Sequence, residues 1–246
     1  MSLLTIGKGE TIAVISDDGG WLKKFLVREK DILVAGFEYE KEGKIKKRGG
    51  VPVLFPNAGK EIKTDLLNLS QHGFARDMVW EITEQYEDKL VLQIIDSIDT
   101  FKLFPFHFQS EMTFVVLENF ISITLNVLNT GQIDLPLAPG FHPYFLLSKE
   151  NREKLVLNQH SFIFDGTTTY KSSESPINFK LPKIGGISLS YSDNLKNVSY
   201  WAELSGNYIC IEPWVGPEGA ILNKSEMVNL KPQENVKFNM DIKVLL

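Results

Sequence analysis

The sequence has little of what several classes of protein require. It contains one cysteine, Cys210, in 246 residues, so no disulfide can form within the chain. No run of 18 apolar residues occurs, which argues against a membrane-spanning helix of the usual kind. Residues 1–5 lack both a basic region and a long apolar stretch, so we expect no signal peptide and a cytoplasmic location.

Basic residues are outnumbered by acidic ones, 26 to 31, and the net charge is −5. Nucleic-acid-binding proteins normally carry a basic stripe, so we expect no nucleic-acid partner. Residues 44–48 hold four basic side chains in five positions, and we interpret them as a solvated loop.

No glycine-rich phosphate-binding motif and no Gly-x-Ser-x-Gly motif occurs, which argues against a nucleotide cofactor and against an α/β-type serine hydrolase.

Metal binding is not expected either, because no group of His, Cys, Asp and Glu has the spacing of metal ligands. Cys210 lies in the apolar run 208–211, where we expect a buried thiol that acts as a small apolar side chain. His107 lies among phenylalanines, and we interpret it as structural. The remaining candidates for chemistry are few, since the chain has only four histidines.

Alternation of apolar and polar side chains dominates the sequence. Residues 120–128 and 236–244 alternate with a period of two, which is typical of half-buried strands. The longest plausible helix, residues 64–69, spans barely two turns. Many short strands without a βαβ rhythm predict an all-β fold, a large antiparallel β-sandwich or barrel with few short helices. No repeat or linker is visible, so we expect a single domain over residues 1–246. Shorter strands are predicted at residues 12–15, 21–27, 32–35, 90–95, 112–116, 162–164, 187–191, 198–204 and 208–211.

Residues 139–145 place a histidine among rigid and aromatic neighbours. If this segment is extended, His142 and Tyr144 point to one face while Phe141, Pro143 and Phe145 point to the other. Pro143 lacks an N–H and therefore belongs at a strand end, an edge or a bulge. The alternative is a histidine that is simply satisfied within an aromatic cluster.

Two other segments hold a group that can move a proton. His72 is followed by Arg76 and Trp80, which suit the oxygens and the apolar face of a polyhydroxylated ligand, although His72 alone also fits a turn. Glu212 follows the apolar strand 208–211 and precedes Trp214. A carboxylate at this point is costly to bury unless it is paired or functional. The alternative is a glutamate exposed at a strand end.

Three motifs together resemble the aldose 1-epimerase (mutarotase) family: Gln-His-Gly-Phe-Ala-Arg at 71–76, residues 139–145, and Ile-Glu-Pro-Trp at 211–214. They come in the family's order and at roughly its spacing, so the resemblance covers nearly the whole chain. It implies a galactose mutarotase-like β-sandwich and an isomerase that interconverts the α and β anomers of an aldohexose. It also implies that no cofactor and no metal are needed.

The resemblance implies roles for individual residues. Glu212 is expected to act as the base at the C1 hydroxyl and His142 as the acid at the ring oxygen. His72 is expected to donate a further hydrogen bond. Residues 48–60 resemble the family's substrate-side segment, in which Lys60 stands where many members have an arginine, so a point charge replaces a planar donor. The substrate-binding residues are then expected to be Arg48, Arg76, Lys60, Tyr144 and Trp214.

Glu212 and His142 can form an ion pair only at a pH at which Glu212 is ionised and His142 is protonated. Free Glu titrates near ~4.3 and free His near ~6.5. We expect attraction between Glu212 and His142 to lower the first pKa and raise the second, which widens the window through neutral pH.

Other functions remain open at this point. The hexose-6-phosphate mutarotase branch is one, with Lys46, Lys47 or Lys60 meeting a phosphate. A non-catalytic carbohydrate-binding sandwich is another. A glycosidase would need two carboxylates, and only Glu212 lies in a motif. The sequence identifies neither the sugar nor the oligomeric state.

Overall fold

The computed structural model describes residues 2–41, 43–158, 160–161, 169–171 and 175–246. Its helices are short: α1 (Ile98–Leu103), α2 (Lys149–Arg152), α3 (Ala220–Asn223) and a 3-10 turn at Ala75–Asp77. Within these ranges no helix has the length and apolar character needed to cross a bilayer. The strands are β1 (Leu3–Lys8), β2 (Thr11–Ser16), β3 (Trp21–Val27), β4 (Lys30–Asp31), β5 (Phe37–Lys41), β6 (Lys44–Arg48), β7 (Val53–Leu54), β8 (Ile62–Lys63), β9 (Asn68–Leu69), β10 (Glu81–Gln85), β11 (Lys89–Ile95), β12 (Phe108–Leu117), β13 (Phe120–Asn129), β14 (Leu135–Leu137), β15 (Gly140–Phe141), β16 (Tyr144–Leu146), β17 (Val156–Leu157), β18 (His160–Ser161), β19 (Thr169–Lys171), β20 (Ile177–Leu181), β21 (Gly185–Tyr191), β22 (Asn197–Trp201), β23 (Tyr208–Trp214), β24 (Val228–Leu230) and β25 (Asn235–Leu245).

The two longest alternating segments lie side by side in the largest sheet. This sheet has seven antiparallel strands in the order β10-β11-β12-β13-β25-β21-β20. β12 and β13 pair over ten residues, from Phe108↔Asn129 to Leu117↔Phe120. Every second side chain along them is buried, as the period of two requires. The strands predicted at 120–128 and 236–244 are therefore confirmed as β13 and β25.

A second antiparallel sheet carries most of the residues predicted to be functional. Its strand order is β19-β22-β23-β15-β7, and β16 also pairs with β23. Its apolar side chains, among them Phe141, Ile209 and Ile211, join Phe114 and Leu125 of the first sheet in one buried cluster. Strands account for 54% of the structure and helices for 8%, so the prediction of an all-β, antiparallel sandwich is confirmed.

The helix predicted at residues 64–69 is wrong. The Thr64 hydroxyl accepts hydrogen bonds from the backbone N–H groups of Leu66 and Leu67, at 3.2 and 2.9 Å. This local side-chain bonding gives the backbone an alternative to a helix, and the segment becomes the turn between β8 and β9.

Three other predictions need correction. Residues 32–35 form no strand beyond the isolated bridge Leu33↔Phe145, because their other backbone hydrogen bonds go to different segments. The N–H of Ile32 bonds the carbonyl of Phe25, and the carbonyl of Val34 accepts from the N–H of Gly50. The basic residues 44–48, predicted as a loop, are strand β6, which pairs with β5. The strand predicted at 198–204 ends at Trp201. The strand predicted at 162–164 lies outside the described residues.

The sandwich core makes a matched test possible. Leu125 of β13 is fully buried, whereas Leu117 of β12 is 48% exposed. Leu125→Ala removes packing that the surroundings cannot fully restore, so it should lower the free energy of unfolding by about 2–5 kcal/mol. Leu117→Ala should change it by less than about 1 kcal/mol. Urea unfolding followed by fluorescence measures both, and equal losses would contradict the assignment of β13 to the core.

Candidate active site

Strand β23 has two different buried faces. Ile209 and Ile211 point into the main core. Tyr208 and Cys210 pack in a separate small cluster on the other side of the strand. Glu212 follows on that second side, since strand side chains alternate. The sequence-based expectation that the strand stops before Glu212 is wrong, because β23 continues to Trp214.

The register of the sheet places His142 opposite Glu212. β15 pairs with β23 at Gly140↔Trp214, and β16 pairs with it at Tyr144↔Cys210. Between these two pairs the ladder is interrupted at Pro143 and Pro213, neither of which has an N–H to donate. The N–H of His142 bonds the carbonyl of Pro52 instead, at 3.2 Å. The histidine is thus fixed by its backbone beside the carboxylate.

Gly140 is required by the close approach of Trp214. A Cβ at position 140 would lie 2.5 Å from Cδ1 of the indole and 2.9 Å from the carbonyl oxygen of Pro213. The missing side chain therefore lets the Trp214 indole pack directly against the backbone at position 140. This explains why the glycine stands two residues before the histidine.

The His142–Glu212 pair lies at the centre of the site. Nε2 of His142 is 3.5 Å from Oε2 of Glu212, and the residues are 6% and 2% exposed. The rings of His142 and Tyr144 stack at 4.4 Å with 4° between their planes, and the Tyr144 hydroxyl is 3.3 Å from Nε2. As predicted, Phe141 and Phe145 point the other way, into the main core.

His72 occupies a turn that holds its ring against the pair. It has φ 67°, and Gly73, with φ 73°, would collide with the carbonyl of Phe55 if it had a Cβ. Nδ1 of His72 lies 2.5 Å from the carbonyl oxygen of Ala58, so Nδ1 must be the donor. The His72 ring is 5.4 Å from that of His142.

Burial sets the direction of the pKa shifts in the site. It raises the pKa of Glu212 well above its ordinary value, and a hydrogen bond from the Trp214 side chain offsets this only in part. Burial is the main cause that lowers the pKa of His142 well below its ordinary value, and the positive charge of Arg76 acts in the same direction. We expected attraction to widen the pH range in which Glu212 is ionised and His142 is protonated. That expectation is wrong, since desolvation disfavours both charged forms.

His72 is neutral for the same reason. Burial, with the nearby charge of Arg76, lowers its pKa to about 3. A neutral ring whose Nδ1–H donates to Ala58 keeps a bare lone pair on Nε2. His72 therefore offers a hydrogen-bond acceptor at Nε2, which does not fit the expectation that it donates.

Arg48 forms one wall of the site and is held from several directions. Its guanidinium donates to Oε2 of Glu203 at 2.6 Å and to the Tyr39 hydroxyl at 3.1 Å, and it lies 5.8 Å from the centre of the Trp201 ring. The buried Arg152 donates to the carbonyl oxygen of Glu203, at 2.7 Å. This bond fixes the segment from which the Glu203 carboxylate reaches Arg48.

The other cationic side chains differ in how far they are neutralised. Lys60 pairs with Glu218 at 2.9 Å, and Lys47 with the buried Asp18 at 2.8 Å. Lys46 and Arg76 make no ion pair with any described residue. These two cations are the ones available to an anionic group of a ligand.

One cavity of about 630 Å³ collects the predicted residues, a volume typical of sites for small ligands. Sequence reasoning missed Ser199, Trp201 and Glu218, which carry no motif. It was wrong about Trp80, which is buried elsewhere and donates to the carbonyl of Ala75. The predicted residues that line the cavity are Arg48, Lys60, His72, Arg76, His142, Tyr144, Glu212 and Trp214.

Ser199 lies directly opposite Glu212 in the pairing of β22 with β23. Its hydroxyl is fully buried, lines the cavity and makes no hydrogen bond within the described part of the chain. A larger cavity of about 1390 Å³ lies near Phe179 and Leu181, but its described lining contains no histidine and no acid. The smaller cavity is therefore the candidate active site.

The fold also creates a donor set that the sequence spacing did not reveal. One ring nitrogen of His142, the sulfur of Cys210 and a carboxylate oxygen of Glu212 lie within 4.8 Å of one another. All three residues are buried. Cys210 is buried as predicted, but it lies beside the polar pair.

A β-sandwich with a buried histidine–glutamate pair lining a polar cavity is suited to acid–base chemistry on a small polar molecule. The sequence profile of the aldose 1-epimerase family matches residues 2–183, and the chain belongs to that family. Family membership supports an isomerase that acts on sugars. The resemblance noted in the motifs is thereby confirmed.

Solved structures share the fold over nearly the full length of the chain. A protein from Synechocystis matches with a TM-score of 0.84 and 22% identity, covering 99% of this chain and 95% of that one. A galactose mutarotase related enzyme from Lactobacillus acidophilus matches at 0.80 and 20%, covering 100% and 98%. A galactose mutarotase-like protein from Lactobacillus casei matches at 0.79 and 17%, covering 99% and 100%. These likenesses establish the fold.

The raised pKa of Glu212 predicts that this residue costs stability at neutral pH. Above its ordinary pKa of 4.5 the carboxyl is ionised in the unfolded chain but resists ionisation when folded. Stability from this group is therefore present at low pH and is lost as pH rises toward the folded pKa. Glu212→Gln removes the ionisation, so its stability relative to wild type should increase from pH 5 to pH 8.

Melting temperatures of both proteins across this range measure the effect. Glu218→Gln is the matched control, since that carboxylate pairs with Lys60 at 2.9 Å and is 29% exposed. A constant difference between wild type and Glu212→Gln at all pH values would contradict the buried, raised-pKa carboxyl.

Proposed function

We propose that this protein is an aldose 1-epimerase that opens and recloses an aldohexose ring by acid–base catalysis, without a cofactor. The observation that carries the proposal is the 3.5 Å contact between Nε2 of His142 and Oε2 of Glu212 at the cavity wall. The family match supports it. In this reading the whole chain, residues 1–246, works as one domain.

The reaction moves two protons around one carbon. Glu212 takes the proton of the C1 hydroxyl while His142 gives a proton to the ring oxygen, and the C1–O5 bond breaks. The aldehyde rotates about C1–C2, and the same groups reverse the transfers to form the other anomer. Because both oxygens are bonded to C1, an acid and a base 3.5 Å apart suit the two transfers.

The pair needs only one mobile proton between its two members. Burial favours neutral Glu212 and neutral His142 in the empty site, and this form has the same total charge as carboxylate plus imidazolium. The two forms differ only by a proton transfer across the contact. The pair therefore titrates as a unit, and a plot of rate against pH should be bell-shaped. The two apparent pKa values of that plot belong to the pair and not to either residue alone.

Three further groups are placed to hold the sugar. Nε2 of His72 accepts a hydrogen bond from a hydroxyl, because its Nδ1–H is committed to Ala58. The buried Ser199 hydroxyl, which lies opposite Glu212, donates or accepts beside C1. Trp214 offers an apolar surface to the sugar ring. Preorganised groups of this kind orient the substrate at no reorganisation cost in the reaction.

A phosphorylated hexose is a second candidate substrate, favoured by one observation. Lys46 and Arg76 line the cavity and make no ion pair with any described residue, whereas Arg48, Lys47 and Lys60 are each paired with an acid. Two unpaired cations at one side of a cavity suit a phosphate dianion. A non-catalytic sugar-binding role is less well supported, since binding alone does not need a buried His–Glu pair.

The acid–base pair can be tested by substitution. Glu212→Gln and His142→Asn keep the side-chain shapes, and each should lower the rate of anomer exchange ~10²–10⁴-fold. The double variant should lose much less than the product of the single losses, because acid and base act as a unit. NMR exchange spectroscopy on glucose, galactose and glucose 6-phosphate provides the measurement.

Glu218→Gln is the matched control, because it also lines the cavity but pairs with Lys60 at the rim. It should cost less than ~10-fold. If wild type leaves the spontaneous exchange of all three sugars unchanged, the epimerase proposal fails; sugar binding without exchange would favour the binding role.

The two candidate substrates make different predictions for Arg76→Ala and Lys46→Ala. If the phosphosugar is the substrate, each variant should raise its KM at least ~10-fold, since a charge-assisted bond is worth about 1.5–3 kcal/mol. The KM for free hexose should change less. Lys63→Ala, a cation that pairs with Glu61 at the surface, should alter neither. Equal effects on both sugars would remove the phosphosugar candidate.

A further inference from the structure

Cys210 has no part in the proposed reaction, yet it lies directly beside the site. It is two residues from Glu212 on the same face of β23, and it pairs in register with Tyr144, whose ring stacks on that of His142. The thiol is fully buried. The chain's one sulfur nucleophile thus lies against the acid–base pair.

Next to Cys210, a carboxylate oxygen has unused ligand capacity. Oε2 of Glu212 is buried and makes no hydrogen bond with other described residues, and Nε2 of His142 lies 3.5 Å from it. A thiolate, an imidazole and a carboxylate are the ligand types that Zn²⁺ takes in proteins. The two anions balance the charge of a dication, so a bound ion would leave this buried site neutral overall.

The distances are close to those of a metal site. Zn–S bonds of about 2.3 Å and Zn–N or Zn–O bonds of about 2.0–2.1 Å give ligand separations of about 3.3–3.6 Å in a tetrahedral site. The His142–Glu212 contact of 3.5 Å already fits. The Cys210 sulfur lies within 4.8 Å of the other two atoms, so it needs to approach them by about 1 Å to complete the site.

We propose that His142, Cys210 and Glu212 form a binding site for a thiophilic divalent cation, with Zn²⁺ as the expected ion. The fourth ligand position is taken by water from the cavity. The cation occupies the acid and the base at once, so cation and sugar exclude each other. The binding site rests on the geometry alone; the inhibition rests also on the proposed function.

Cobalt absorption tests the site directly. Co²⁺ replaces Zn²⁺ in such sites and gives an absorption band when a thiolate is a ligand. The wild-type protein should show this band, saturating at one ion per chain, and added Zn²⁺ should abolish it. Absence of the band, or of its displacement by Zn²⁺, would overturn the proposal.

Calorimetric titration with Zn²⁺ separates this site from surface binding. Cys210→Ser and Cys210→Ala should both weaken the wild-type event at least ~10-fold. His107→Asn should leave it unchanged, although His107 and Asp96 form a histidine–carboxylate contact at 2.7 Å on the surface. If His107→Asn removes the binding and both Cys210 variants keep it, the buried site is excluded. Using two Cys210 variants guards against one that fails to fold.

Anomer exchange then tests the inhibition. Zn²⁺ at saturating concentration should lower the wild-type rate at least ~10-fold, and EDTA should restore it. The Cys210 variants should resist the same Zn²⁺ concentration, with each rate compared with that variant's own rate without zinc. Zinc binding without any exchange activity would sink the proposed function alone, and exchange without zinc binding would sink this inference alone.

Discussion

The site depends on the register between strand β23 and the segment that runs from β15 to β16. Pairing at Gly140↔Trp214 and Tyr144↔Cys210 leaves His142 opposite Glu212, where neither flanking proline can complete the ladder. A slip of either strand by one residue would turn its own side chain, His142 or Glu212, into the apolar core. Because Phe141 and Ile211 are anchored in that core, the register is set by burial, and the acid–base pair follows from it.

Burial then decides the chemistry of the pair. Desolvation pushes the pKa of Glu212 up and that of His142 down, so neither group gains from being charged in the empty site. A pair whose proton can sit on either member is ready for a reaction in which one proton is taken and one is given. The same arrangement lowers the stability of the fold. Such a cost is typical of residues that are kept for function.

Much of the fold could be predicted from the sequence, because alternation over β13 and β25 reports directly which side chains face the core. The turn at residues 64–69 could not, since it depends on local bonds made by Thr64. The segment 44–48 was misread because Lys47 is buried by a distant partner, Asp18. Strand pairing joins residues far apart in sequence, and no spacing rule reveals it.

The candidate site was predictable where motifs carried it and not elsewhere. His72, His142 and Glu212 stand out by their neighbours, and the structure brings them to one cavity. Ser199 and Cys210 have no local signal, since only the pairing of β22, β23 and β16 brings them beside Glu212. The directions of the pKa shifts of Glu212 and His142 could not be predicted, because the sequence shows which residues can carry charge but not how deeply each one is buried.

Oxygen-isotope exchange tests most directly whether the pair opens the ring. The wild-type protein is incubated with [1-¹³C]hexose in ¹⁸O water, and NMR follows both anomer exchange and the isotope shift of C1. Ring opening breaks C1–O5 and keeps the C1 hydroxyl oxygen, so the account predicts many anomer exchanges for each ¹⁸O incorporated. One ¹⁸O incorporated for every exchange would show cleavage of the C1–O1 bond and would contradict it.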